Sequence, residues 1–342
     1  MHSHARLEKV FDKTMSSKLV HEGICFIENG AGDFTFSKGY GGKELETPFL
    51  MASVTKLFTT TCIVKLLEAS KIKLEDKIAQ YFEAETLKGI HAFRGKDYSD
   101  QITVEDLLFQ KSGLPDWFLD GAGSYARRMV KEDFSFTFEE VLAATKQLNP
   151  KFPPSSPKKA YYTDINFDLL GSIIEQVSGL SLSEAYGKFI IEPLELKNTY
   201  LADQDSTDLP AVYYKGSRLK RDNFIKSIGA SGGGITNALD LMAFIKAFWS
   251  GKLFDQTVFE MLKPFNRLQL SFYPICYAGG YMRMEASYPF KPKVELLGHS
   301  GSTGSFAFYA PQLDLFFVGD VSQFASQAIP IRLVMRLALA SN

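Results

Sequence analysis

Met51-Ala52-Ser53-Val54-Thr55-Lys56-Leu57-Phe58 opens an apolar stretch that continues through Ile63, Val64, Leu66 and Leu67 to Glu68. The pattern predicts a helix over residues 51–68, with a serine at its start and a lysine one turn on. Residues three apart share a helix face, so Lys56 reaches the Ser53 hydroxyl. The first turn of a helix carries unpaired N–H groups and a positive dipole end. The Ser53 N–H is therefore expected to hold an oxyanion, and the same field disfavours an ammonium, so a partly neutral Lys56 is expected to act as base. A serine cap beside a surface lysine fits this local pattern equally well.

The Ser-x-x-Lys spacing alone discriminates little, because it recurs from Ser70, Ser155, Ser156 and Ser217. Ser70 lies in a charged loop, Ser155 and Ser156 lie among prolines, and Ser217 lies in a basic loop; only Ser53 opens a long apolar helix. A second pattern is Tyr162-Thr163-Asp164, followed by the helix start Asn166-Phe167-Asp168-Leu169-Leu170-Gly171. A tyrosine hydroxyl near a lysine passes protons between nucleophile and leaving group. Tyr98-Ser99-Asp100 looks similar but no helix follows it, and a lone tyrosine is more often a core residue with a bonded hydroxyl. The third pattern is Gly298-His299-Ser300-Gly301-Ser302, read as lying just before a strand, where small residues let the backbone approach a substrate. The Ser302 N–H is then the expected second oxyanion donor. Lys111-Ser112-Gly113 is a comparable triplet in a helix-to-loop segment.

Outward from these patterns, residues 7–15 read as a short amphipathic helix. Residues 23–28 and 34–40 read as a hairpin across the turn formers Asn29-Gly30-Ala31-Gly32-Asp33. Residues 76–210 are mostly helical with long loops; examples are 104–110, 138–147, 167–177 and 183–189. A glycine turn at Gly232-Gly233-Gly234 precedes a helix over 238–249. Strands return at 277–285, 305–309 and 315–321, and a helix over 330–339 closes the chain. Strands at both ends and helices between predict an α+β fold: an antiparallel sheet from both chain ends, flanked by helices, with an inserted mostly helical region. The expected division is a sheet domain of residues 1–75 plus 211–342 and a helical domain of 76–210.

The 342 residues are 45% hydrophobic and 23% charged, values typical of a globular protein. A net charge of −1 leaves no electrostatic footprint for nucleic acid. The local basic cluster Lys215, Arg218, Lys220 and Arg221 reads as a solvated loop rather than a substrate-carboxylate site. Cys25, Cys62 and Cys276 sit in apolar surroundings without metal or disulfide spacing, and read as buried free thiols. His2 and His4 read as a frayed terminus rather than as ligands. No stretch approaches the ~18 apolar residues of a membrane span. Residues 1–17 lack the apolar core of a secretory signal. The expectation is a cytoplasmic protein, or an exported one whose signal has been removed. It is expected to need no metal or organic cofactor and to take a small-molecule or peptide substrate. Nothing in the composition specifies an oligomeric state.

The three patterns, in this order, resemble the serine β-lactamase and penicillin-binding superfamily, most closely its class C branch with DD-peptidases and esterases. The family pattern of Ser-x-x-Lys, Tyr-x-Asn and Lys-Thr-Gly or His-x-Gly falls on Ser53 and Lys56, Tyr162 and Asp164, and His299 and Gly301. Ile102-Thr103-Val104-Glu105-Asp106-Leu107-Leu108 leading into Ser112-Gly113-Leu114-Pro115, and Ser231-Gly232-Gly233-Gly234-Ile235-Thr236, also look like the family. The likeness covers about residues 23–321. It implies a serine hydrolase that acts on esters or amides through an acyl-enzyme. Ser53, Lys56 and Tyr162 are then catalytic, Ser53 and Ser302 supply the oxyanion N–H groups, and Asp164, His299, Gly301 and Trp117 contact substrate.

Two departures shape the expected substrate. Asp164 stands where the family has Asn, and His299 where β-lactamases have lysine. An ionised Asp accepts but does not donate, and a neutral His holds a carboxylate less firmly than lysine. With Trp117 resembling a substrate-facing position, esters or D-residue peptides are expected to surpass β-lactams. Two other readings compete. Gly229-Ala230-Ser231-Gly232-Gly233 matches the nucleophile elbow of α/β-hydrolases, though no helix signal directly follows. A non-catalytic penicillin-binding or sensor protein on the same scaffold is the other.

Overall fold

The computed structural model describes residues 3–287 and 292–342. Its main sheet has eight antiparallel strands, in the spatial order Asn266–Arg267, Cys276–Tyr277, Met282–Ala286, Val294–Ser300, Phe306–Ala310, Leu315–Asp320, Gly23–Asn29 and Thr35–Tyr40. Gly23–Asn29 closes the sheet between the two chain ends. It pairs with Thr35–Tyr40 on one side and with Leu315–Asp320 on the other, with Cys25 opposite Gly319. The α+β fold with a sheet drawn from both chain ends is thus present.

Leu315–Asp320 is buried at every position, and a strand buried on both faces needs cover from both. The helix Ala238–Ser250 packs on Gly23–Asn29, Phe306–Ala310 and Leu315–Asp320. The helix Ala328–Ser341 packs on Met282–Ala286, Val294–Ser300 and Phe306–Ala310, with His4–Met15 alongside. His4 is not frayed: it starts that helix, and its Nε2 lies 2.8 Å from the Thr35 carbonyl oxygen. His2 lies outside the described residues. Cys25 and Cys62 are buried free thiols, raised in pKa by that burial, while Cys276 is half-buried.

Between the chain ends, the helix Thr55–Glu68 is buried along nearly its whole length and packs against the helix Ile165–Ser178. A small sheet of Phe49–Leu50, Gly234–Thr236 and Tyr200–Leu201 joins the entry to that helix with the glycine-rich segment. Close packing explains one of the glycines there: a Cβ on Gly233 would lie 2.9 Å from the Gly229 backbone nitrogen. Among the described residues no helix is long and apolar enough to cross a membrane.

The structure corrects three readings. The expected strand over 277–285 is two, Cys276–Tyr277 and Met282–Ala286, because Gly279-Gly280 turns the chain and Gly280 has φ +88°. Gly298-His299-Ser300 does not precede a strand but ends one, Val294–Ser300. Gly298 is needed inside it because a Cβ would meet the Ala307 carbonyl oxygen at 2.0 Å. Finally, Ser231 is no nucleophile elbow. It is buried in a 3-10 turn, Gly229–Ser231, that leads to a strand of an antiparallel sheet.

Candidate active site

Ser53 lies in a 3-10 turn, Ala52–Val54, that feeds the helix Thr55–Glu68, so the helix begins just after the serine rather than at it. Ala52 has φ +44°, a conformation that costs a non-glycine residue on the order of 1 kcal/mol or more and persists only where surroundings hold it. The holding contacts come from two sides. The Met51 N–H donates to the Gly234 carbonyl at 2.8 Å. Thr303 Oγ1 donates to the Leu50 carbonyl at 3.1 Å, and Ser305 Oγ donates to the Met51 carbonyl. A Cβ on Gly301 would lie 2.2 Å from Ser305 Oγ and 2.5 Å from the Met51 oxygen. Gly301 therefore brings the strand end against the serine turn, in addition to bordering the cleft in front of it.

Lys56 is fully buried. Its Nζ lies 3.2 Å from Ser53 Oγ, 2.6 Å from Asp164 Oδ1 and 2.6 Å from the Ser231 carbonyl oxygen. Three acceptors take the three N–H bonds of an ammonium. This corrects the expectation of an environment dominated by the helix dipole: the groups nearest the amine are a carboxylate and two oxygens. The rings of Tyr162 and Phe167 complete the enclosure, with centroids 5.3 and 5.4 Å from Nζ.

The segment carrying Tyr162 and Asp164 is clamped through its backbone. Gln269 Oε1 accepts from the Tyr162 N–H at 2.9 Å, Gln110 Oε1 from the Thr163 N–H at 3.0 Å, and Asp116 Oδ1 from the Asp164 N–H at 3.1 Å. The Tyr162 ring stacks on Phe272 with centroids 5.0 Å apart, and its hydroxyl is buried without a well-formed hydrogen bond. Burial, then the charge of Asp164, pushes this phenol well above its ordinary pKa, while the adjacent Ser53 hydroxyl acts in the opposite sense.

Two buried carboxyls back Asp164. Burial first, then the charge of Asp164, pushes Asp116 well above the carboxylate range. Asp168 lies one turn beyond Asp164 on the same helix, and burial is the main force pushing it up to about 7. Trp117 Nε1 donates to Asp168 Oδ2 at 2.8 Å. Trp117 is thus anchored in a buried wall next to the serine, packed edge-on against Phe118 and Tyr125.

Ser302 borders the same hollows as Ser53, and among the described residues its N–H donates to no acceptor. His299 is placed differently from expectation. It is fully buried behind the cleft wall, with Nε2 3.2 Å from Tyr277 Oη and Nδ1 2.9 Å from the Ser300 carbonyl oxygen. Burial, then the positive charge of Lys56, pushes its pKa down to about 3, so the ring is neutral. Side chains alternate along a strand, so Ser300 faces the cleft and His299 the interior. The basic cluster also divides: Lys215, Arg218 and Lys220 are exposed, whereas Arg221 donates to the Met129, Val130 and Lys220 carbonyls. Among the described residues no cluster of three His, Cys, Asp or Glu is arranged to hold a metal ion.

Gln110, Asp116, Asp168 and Gln269 were not anticipated as parts of the site. The one available signal was the four-residue spacing of Asp164 and Asp168 on a helix.

An antiparallel sheet from both chain ends, carrying a serine-lysine pair at a buried helix start with a tyrosine opposite, defines a class of serine-hydrolase scaffold. Residues 21–338 match the family model described as Beta-lactamase, and the chain belongs to that family. It is 28% identical over 205 residues to the teichoic acid D-alanine hydrolase of Staphylococcus aureus. That match takes in 57% of this chain but only 45% of the relative, so the likeness spans less than half of the relative's length. Among solved structures, a D-stereospecific amidohydrolase from a Streptomyces species superposes with a TM-score of 0.77 at 22% identity, over 96% of this chain and 97% of that one. EstCE1, a hydrolase with promiscuous acyltransferase activity, superposes with a TM-score of 0.77 at 18% identity, over 98% of both chains. At these identities the superpositions establish the shared fold.

Proposed function

We propose that this protein hydrolyses carboxylic esters through an acyl-enzyme on Ser53. The observation that carries the reading is Lys56 Nζ, which lies 3.2 Å from Ser53 Oγ and 2.6 Å from Asp164 Oδ1. An ionised carboxylate accepts a proton and an amide does not. Lys56 passes a proton to Asp164 and, as the free amine, takes the proton of the Ser53 hydroxyl. Ser53 Oγ bonds to the substrate carbonyl carbon, and the Ser53 and Ser302 N–H groups hold the oxyanion. The bond to the leaving alcohol then breaks. The raised Tyr162 phenol keeps its proton at neutral pH, so it is suited to donate to the departing oxygen and to recover a proton from Lys56. Water attacks the acyl-enzyme by the reverse relay, releasing a carboxylic acid and restoring the Ser53 hydroxyl.

β-Lactams are the poorer substrates in this reading, and the burial of His299 revises the reason. Its neutral, sealed ring offers no partner for a substrate carboxylate. A lost charge-assisted hydrogen bond is worth ~1.5–3 kcal/mol, roughly tenfold to a hundredfold in efficiency. A second reading, hydrolysis of D-aminoacyl esters or amides, draws on the named relatives. The observation in its favour is Asp164, the carboxyl that borders both hollows at Ser53. Steady-state kcat/KM for p-nitrophenyl butyrate, D-alanine p-nitroanilide and a cephalosporin tests the choice. The butyrate is expected to lead the cephalosporin by at least tenfold. A faster cephalosporin contradicts the proposal, and a faster D-alanyl anilide promotes the second reading.

A further inference from the structure

Two hollows meet at Ser53, and Asp164 and Ser302 border both. One is an open cleft bordered by Tyr162, Phe272, Tyr273, Ser300 and Arg332. The other is a narrow slot walled by Leu50, Trp117, Phe118, Phe224, Ile225 and Phe324.

Most polar groups of the slot are already engaged, and the Ser302 N–H that borders it is the one assigned to the oxyanion. Asp164 holds Lys56, the Ser231 hydroxyl donates to the Ile228 carbonyl, and the Arg221 guanidinium donates to three backbone carbonyls. What the slot presents to a ligand is apolar surface. Tyr162, the donor to the leaving alcohol, borders the open cleft and not the slot. The alcohol therefore departs into the cleft, and the acyl group occupies the slot.

We infer that the acyl group is an unbranched aliphatic chain, an assignment that rests on the ester-hydrolase reading above. The narrowness of the slot favours a linear chain over a branched one. A D-alanyl group would bury its ammonium among these apolar walls, where the one carboxylate, Asp164, already holds Lys56.

The test is kcat/KM for p-nitrophenyl acetate, butyrate, hexanoate, octanoate and pivalate. It is measured on the wild-type chain, on Ile228→Trp, which fills the slot, and on Met129→Ala, which widens it. Both residues line the slot. Burial of a methylene is worth about fourfold in binding, so wild-type efficiency is expected to rise about fourfold per methylene from acetate to butyrate, with pivalate well below. Ile228→Trp should abolish that rise with chain length, and Met129→Ala should move the optimum to a longer ester. If Ile228→Trp does not fold, the wild-type and Met129→Ala series decide. Wild-type efficiency that is flat or falls from acetate onward overturns the inference and leaves the ester-hydrolase reading standing. Absence of turnover of every ester, together with no acylation of Ser53, overturns both.

Discussion

Lys56 Nζ donates to Asp164 Oδ1 over 2.6 Å, and the lysine of this ion pair has no solvent exposure. In the proposed mechanism the aspartate at the family's asparagine position receives the proton that Lys56 must lose before it can activate Ser53. Asp164→Asn keeps the hydrogen bond but removes the acceptor. It should lower kcat/KM for an ester roughly tenfold to a hundredfold, at the low end of what a positioned acid or base contributes. The melting temperature should fall as well, because the buried Lys56 loses its counter-charge. Unchanged turnover would show that the proton goes elsewhere. Lys56→Ala should abolish activity and also destabilise the fold, because breaking a buried pair costs ~3–5 kcal/mol; chemical denaturation measures that loss.

Tyr162→Phe should separate activity from stability. The phenol oxygen is buried and lacks a well-formed hydrogen bond, and such an unsatisfied group costs about 1–3 kcal/mol. Removing it should therefore maintain or raise the melting temperature while kcat falls roughly 10²-fold or more. A variant that melts lower without losing activity would make Tyr162 a packing residue.

Asp168 makes stability depend on pH in a defined direction. Its folded-state pKa of about 7, raised mainly by burial, lies above the ordinary 3.8 of the unfolded chain. Between those values the native state binds more protons than the unfolded state, so this group's contribution falls as pH rises from about 4 to 7 and is level above that. Asp168→Asn removes the effect. The stability of the variant minus that of the wild type should increase across this window, by up to about 4 kcal/mol. His299, depressed to about 3 by burial, acts with the opposite sign: its contribution is lost as pH falls from the unfolded value of 6.5 toward 3. Because His299 is common to both proteins, the difference isolates Asp168. A difference that stays flat with pH would contradict the assignment.

Gly301→Ala tests the contact that holds the serine turn. The added methyl would sit 2.5 Å from the Met51 oxygen and 2.2 Å from Ser305 Oγ. Overpacking of this kind typically costs ~1–3 kcal/mol. Both melting temperature and acylation rate should fall, since the displaced backbone leads straight into Ser53. Normal acylation in a destabilised variant would uncouple the two.

The grouping of Ser53, Lys56, Tyr162 and Gly301 was legible in the sequence because each lies where local structure changes. Ser53 precedes a buried helix, Tyr162 precedes another, and Gly301 follows a strand. The overall α+β arrangement was legible from strands at both ends of the chain. The facing of His299 was not, because it depends on a strand register: His299 lies opposite Ala307, and slipping the register by one residue would send the imidazole to the other face. Asp116 and Asp168 were also hidden. Their properties come from neighbours distant in sequence, such as Trp117, 51 positions before Asp168. The acyl slot was hidden for the same reason, since its walls come from Leu50, Trp117, Phe224 and Phe324, which meet only after folding.

The central claim is that Ser53 is the residue that becomes acylated. Peptide mass spectrometry after treatment of the intact protein with a fluorophosphonate tests it most directly. A single adduct is predicted on the peptide containing Ser53, absent from Ser53→Ala and strongly reduced in Lys56→Ala. An adduct on Ser231, or equal labelling of Ser53→Ala, would contradict the account.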